Sequence, residues 1–122
     1  FEDRFFQDMA LLNVRPPHTR LRVSDHIPDI IAYIQEIESK GLAYQRPSGV
    51  YFDVPAFGEP YGKLAPVAVA EGNEGDPDAE TIGEKQDRRD FALWKSAKDS
   101  TEPSWPSPWG PGRPGWHIEC SA

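Results

Sequence analysis

The chain has 122 residues, with 20 acidic against 13 basic side chains and a formal net charge of −7, and its length is that of one ordinary domain. That balance excludes the broad basic footprint that phosphate contacts require; Arg15, Arg20 and Arg22 form only a thin grouping, so no tight RNA binding by this segment is expected. A single cysteine excludes an internal disulfide framework and fits a reducing compartment.

No run approaches the roughly 20 apolar residues that cross a membrane, and no basic stretch leads into an apolar one as in a secretory signal. No membrane partner is expected. The chain starts at Phe1 without an initiator Met and stops at Cys120-Ser121-Ala122. It reads as an internal segment of a longer parent.

Phe1 to Leu12 is predicted as a helix, because Phe5, Met9 and Leu12 fall at i, i+4 and i+7 with Glu2, Asp3 and Asp8 off that stripe. Asn13 and the Pro16-Pro17 pair end it. The second helix is predicted to start from Ser24 as N-cap, with Asp25 near its positive end and Pro28 in its first turn. Ile27, Ile30, Ile31, Ile34 and Ile37 make one apolar stripe, which assigns this helix to core scaffold. Lys40 sits near its negative end and Gly41 is a ready residue to follow the cap.

Two strand candidates come next, Leu42 to Tyr44 and Val50 to Val54. Gln45 to Gly49 links them through Pro47, Ser48 and Gly49, as in a hairpin. Then comes the tetrad Tyr61-Gly62-Lys63-Leu64. From Ala70 to Asp90 acidic residues lie among glycines with almost nothing to bury, the composition of a solvated, flexible loop. Their spacing matches no calcium loop. Asp90 to Lys95 is a predicted strand. Glu102 to Gly115 holds too many prolines and glycines for a regular helix or central strand. Its Trp105 and Trp109 fit a clamp that pins an irregular loop to the body, or else an aromatic ligand platform.

Gly115-Trp116-His117-Ile118-Glu119-Cys120-Ser121-Ala122 is the segment with chemistry in it. Trp116 and Cys120 are four apart, a spacing that shares one face in a strand and in an α-helix alike. His117 and Glu119 fall on the other face if the segment is extended, which makes them poor co-ligands. No CxxC or HxxxH partner lies nearby in sequence. On local grounds Cys120 is either a small packing residue or a candidate thiolate ligand.

The run Glu102 to Gly110 followed by Gly112 to Ala122 (PSWPSPWG and GRPGWHIECSA at their cores) closely resembles the cysteinyl-tRNA synthetases. Asp90 to Lys95, Tyr61 to Leu64, Val50 to Val54, Phe6 to Pro17 and the isoleucine helix resemble them too. The likeness spares only about residues 67–86, a stretch longer than in bacterial members and so of eukaryotic type. It implies an α/β fold: a fragment of a class I synthetase Rossmann-like catalytic domain including its connecting region, with two N-terminal helices, a small β-sheet and long loops. On this reading residues 1–122 are one fragment, helical over 1–41, a β-hairpin region over 42–66, an acidic flexible insertion over 67–89, and a strand, Trp/Pro-rich loop and zinc-cysteine motif over 90–122.

The resemblance further implies that the parent is a cytoplasmic ligase that activates L-cysteine with ATP and Mg2+, releases AMP, and passes cysteine to tRNA(Cys). It makes Cys120 a ligand of Zn2+ and Trp116 a residue of the cysteine pocket. Soft thiolate bonds zinc better than an alcohol does, so the metal is expected to select cysteine over serine. The family's other zinc ligands and its ATP motifs are absent from this sequence, and no catalytic residue is assigned; the fragment alone is expected to be inactive. Two rivals are a cysteine-activating ligase acting on an amino sugar and a non-catalytic interaction module that docks through the Trp/Pro-rich loop.

Overall fold

A computed structural model describes residues 1–58, 61–63 and 83–122. The first helix, α1 (Glu2–Leu11), carries Glu2 and Asp3 in its first turn, where acidic groups favour the helix dipole. Asn13 ends it in a left-handed conformation (φ 57°). The Val14 and Asn13 amides bond back to Met9 and Ala10 and so satisfy the last carbonyls. No residue of α1 is buried, and Phe5, Leu11 and Leu12 stay exposed.

The isoleucine helix, α2 (Ile27–Ser39), buries Ile27, Ile30 and Ile34. It starts later than its N-cap signal suggested. Ser24 lies in a 3-10 turn (Val23–Asp25), its hydroxyl goes to Asp25, and His26 caps α2 without a side-chain bond. Pro28 explains the shift: it has no amide hydrogen to give the Ser24 carbonyl, the first bond of a helix capped at Ser24, and the ladder opens instead with the Ile30 amide on the His26 carbonyl. At the other end Gly41 takes φ 71°, and the amides of Gly41 and Leu42 bond to Glu38 and Ile37, the closure its position predicted.

Four antiparallel strands form one sheet in chain order: β1 (Ala43–Arg46), β2 (Gly49–Phe52), β3 (Phe91–Ser96) and β4 (Gly112–Pro114). Among the described residues no strand pair is parallel. The hairpin is tighter than expected, since Arg46 pairs with Gly49 and leaves only Pro47 and Ser48 in the turn. The second strand is shorter than expected, because Asp53 leaves it to cap a short third helix, α3 (Val54–Phe57). Its carboxylate accepts the Ala56 amide at 2.9 Å, and Pro55 occupies the first turn.

The core lies between α2 and the sheet. Ile27, Ile30, Ile34, Val50, Leu93, Trp94 and Ile118 form one buried cluster, bordered by Phe52, Phe91, Trp105 and Trp109. The edge strand β4 accommodates Pro114, as edge positions do.

Candidate functional site

The terminal motif is built on β3. Gly112 pairs with Ser96 on one side and bridges Trp105 on the other, its amide and carbonyl both bonded to Trp105. Gly115 donates to the Leu93 carbonyl at 2.8 Å. Both glycines lie where backbone meets backbone: a Cβ on Gly112 would stand 2.3 Å from the Lys95 carbonyl oxygen, and one on Gly115 would stand 1.8 Å from that of Ala92. The glycines of the motif therefore let the chain lie flat on β3 and deliver its last residues at a fixed place.

Beyond Gly115 the chain makes a turn at Trp116 and His117 and then a 3-10 turn, Ile118–Cys120. Ile118 is the anchor, 2% exposed and inside the core cluster. Two residues to either side, Trp116 is 82% exposed and the Cys120 thiol is free and exposed. The segment is neither strand nor α-helix, so the shared face expected from their spacing is not imposed by either periodicity. His117 has a separate role: its ring meets Phe91 edge-on, 5.1 Å between centroids.

The Trp/Pro-rich loop acts as a clamp. Trp109 lies 5.9 Å from Trp94 and donates its indole hydrogen to Glu38 of α2 at 2.9 Å. Trp105 is held by the backbone exchange with Gly112. Trp94 itself is fully buried, and its indole nitrogen has no hydrogen-bond partner.

A polar knot on the hairpin was not apparent in the sequence. The carboxylate of Asp90, 1% exposed, accepts the Tyr44 hydroxyl at 2.7 Å and the amides of Val54 and Asp87 at 2.9 Å each. The Tyr44 oxygen in turn accepts the Gln86 amide at 2.9 Å. Burial, with the bond to Asp90 adding to it, holds the Tyr44 phenol well above its ordinary value. Its ring stacks on Tyr51, the cross-strand neighbour. The Tyr51 and Ser48 hydroxyls are bonded at 2.6 Å, and Ser48 donates both its hydroxyl and its amide to Glu84. Those bonds hold the Glu84 carboxyl below the usual range. Most of the acidic insertion, with the tetrad's Leu64, lies outside the described residues; Glu84, Gln86 and Asp87 from its end are bonded to the hairpin or to Asp90. An aspartate directly before an apolar strand was the one available hint.

Zinc chemistry can be tested against the donors. Among the described residues no three His, Cys, Asp or Glu side chains come together as a metal-holding group. A tetrahedral site needs three or four such ligands. Cys120 is exposed, and the described residues do not by themselves fit a complete site around it. Among the described residues no helix is long and apolar enough to cross a membrane.

Comparison with known proteins gives the broader context. The family described as "tRNA synthetases class I (C) catalytic domain" matches residues 1–122. The chain is 48% identical over 130 residues to a cytoplasmic cysteine–tRNA ligase of Dictyostelium discoideum, covering 100% of this chain and 20% of that relative. It is 47% identical over 133 residues to the cytoplasmic cysteine–tRNA ligase of Homo sapiens, covering 100% and 18%. Against the cysteine–tRNA ligase of Methanococcus maripaludis it is 49% identical over 122 residues, covering 100% and 25%. The chain thus spans between about a sixth and a quarter of the length of the curated relatives it matches.

Proposed function

Because the chain belongs to the class I (C) tRNA synthetase catalytic-domain family, we propose that its parent activates L-cysteine with ATP and Mg2+ and transfers the cysteinyl group to tRNA(Cys). The observation that carries this reading is the match over all 122 residues to ligases of that name from a slime mould, a mammal and an archaeon. The geometry supports it: β3 and two glycines fix the terminal motif, Ile118 anchors it, and Trp116 and Cys120 are left accessible on either side. On this proposal Trp116 lines the cysteine pocket, and Cys120 gives one thiolate to a zinc ion whose other ligands come from elsewhere in the parent. The names of the Dictyostelium and human relatives support a cytoplasmic location for the parent.

Neither the amino-sugar ligase nor the interaction module gains support, since the relatives described above all carry the tRNA-ligase name. The test is cysteine-dependent exchange of pyrophosphate into ATP by the full-length parent, followed by charging of tRNA(Cys). Exchange with charging is the expected result. Exchange without charging, but with transfer to an amino sugar, would favour the first rival.

A further inference from the structure

Ile118 and His117 hold the terminal motif from two directions. The Ile118 side chain is 2% exposed and sits in the core cluster between α2 and the sheet. The exposed His117 ring instead meets Phe91 of β3 edge-on, with 5.1 Å between centroids and 74° between planes. Phe91 is a firm base for that contact. It stacks on its cross-strand partner Phe52 at 5.1 Å and 18°. It also follows Asp90, whose buried carboxylate fixes the amides of Val54 and Asp87.

One anchored side chain fixes where a turn lies but leaves it free to swivel about that anchor. A second anchor on the adjacent residue removes the swivel and sets the direction in which Trp116 and Cys120 project. The backbone closes the same turn: the Ser121 and Ala122 amides both go to the Ile118 carbonyl, and the Ser121 hydroxyl donates to the His117 carbonyl at 3.2 Å. The His117 side chain does not cap the 3-10 turn that it precedes. Nor do His117, Glu119 and Cys120 come together as a metal-holding group. The contact that its ring makes is with Phe91.

We propose that His117 is a positioning residue of the cysteine pocket, docked on Phe91 so that Trp116 is held ready for the amino acid; this role rests on the function proposed above. A turn that swivels presents the binding arrangement for only part of the time, and apparent affinity falls by that fraction. Holding the turn in advance removes that loss. His117 acts here as an aromatic ring, through packing rather than through a nitrogen.

The test uses the full-length parent with His117→Ala and His117→Phe, the second of which keeps a ring and removes both nitrogens. It reads the KM values for cysteine and ATP in pyrophosphate exchange, and hydrogen exchange of the Ser121 and Ala122 amides. His117→Ala is expected to raise the cysteine KM about three- to tenfold, the size of one edge-on aromatic pair, with the ATP KM within about twofold and faster exchange of both amides. His117→Phe is expected to stay within about twofold of wild type throughout. In a Phe91→Leu background, which keeps apolar bulk without the ring, His117→Ala is expected to raise the cysteine KM no further. A Phe variant as impaired as the Ala variant would overturn the proposal and return His117 to a ligand or proton-transfer role. An Ala variant equal to wild type, a parallel rise in the KM for ATP, or a full second rise in the Phe91→Leu background would each overturn it too. If the wild-type parent shows no cysteine-dependent exchange, the functional reading fails on its own. Amide exchange then decides the anchoring by the same Ala and Phe ranking.

Discussion

Tyr44 and Asp90, 46 positions apart, meet through a 2.7 Å hydrogen bond in which the phenol donates to a carboxylate that is 1% exposed. The same carboxylate holds the amides at Val54 and Asp87, so one buried charge ties β1, the start of α3 and the approach to β3. Tyr44→Phe removes one donor to a buried ion and is expected to cost about 1.5–3 kcal/mol. Asp90→Ala strands the phenol and both amides, and is expected to cost more than Tyr44→Phe. Urea unfolding followed by far-ultraviolet circular dichroism measures both; equal stability of wild type and Tyr44→Phe would contradict this role.

Stability is expected to decline at both ends of the pH range, for different reasons. The Ser48 bonds hold Glu84 below the usual carboxylate range, and the Arg89 guanidinium does the same for Asp87. Such groups bind protons less readily folded than unfolded. Their contribution is full above the unfolded value of about 4 and is lost as pH falls through the lower folded value. Tyr44 has the opposite sign: burial raises its value, so its contribution is full below about 10 and is lost as pH climbs above that. Melting temperature should hold between about pH 5 and 9, and Tyr44→Phe should flatten the alkaline decline while leaving the acid one in place. An alkaline limb identical in the variant would argue against Tyr44 as its source.

Gly112 has no room for a side chain. An alanine there would bring Cβ to 2.3 Å from the Lys95 carbonyl oxygen and 2.4 Å from the Trp94 indole nitrogen, and the first of these is backbone inside a strand pair. Gly112→Ala is expected to destabilise by about 3 kcal/mol or more, the upper range for overpacking, and to detach β4. Protection of the Gly115 amide from hydrogen exchange, which depends on its bond to Leu93, measures that detachment. Full protection in the variant would show that β4 stays docked.

The roles proposed for Cys120 and Trp116 can be tested apart from folding. Both are exposed, and exposed substitutions away from special contacts usually change stability by less than about 0.5 kcal/mol. Cys120→Ala in the full-length parent is expected to lose bound zinc, read by atomic emission on the purified protein, while its far-ultraviolet circular dichroism at 25 °C stays that of wild type. Retention of a full equivalent of zinc would return Cys120 to an inert surface position. Trp116→Ala is expected to raise the cysteine KM about tenfold or more with little effect on that of ATP; an unchanged cysteine KM would remove it from the pocket.

Much of the scaffold could be read from periodicity and punctuation. The isoleucines of α2 announced a buried face, and Ile27, Ile30 and Ile34 form it; Gly41 announced the helix end. The misreadings were local contests between signals. Ser24 is a good cap by type, but Pro28 moved the helix start, and Asp53 looked like part of a strand although its carboxylate caps α3. The bonds to Asp90 could not be read, because they join residues 44, 54, 87 and 90, whose neighbourhood exists only after the sheet forms. For the candidate site, the roles proposed for Trp116 and Cys120 come from resemblance, while local physics left them open. The contribution of Gly112 and Gly115 emerged only from the backbone distances beside β3.

The tryptophans supply a pair of optical reporters. Trp94 is wholly enclosed, with its indole nitrogen facing no acceptor, whereas Trp116 is 82% open to solvent. With Trp105 and Trp109 half-buried between them, the fluorescence should span a blue-shifted fraction that acrylamide barely reaches, from Trp94, and a red-shifted fraction that it quenches readily, from Trp116. Core integrity is read in the first, and any change around the terminal motif in the second, without a label attached to the protein.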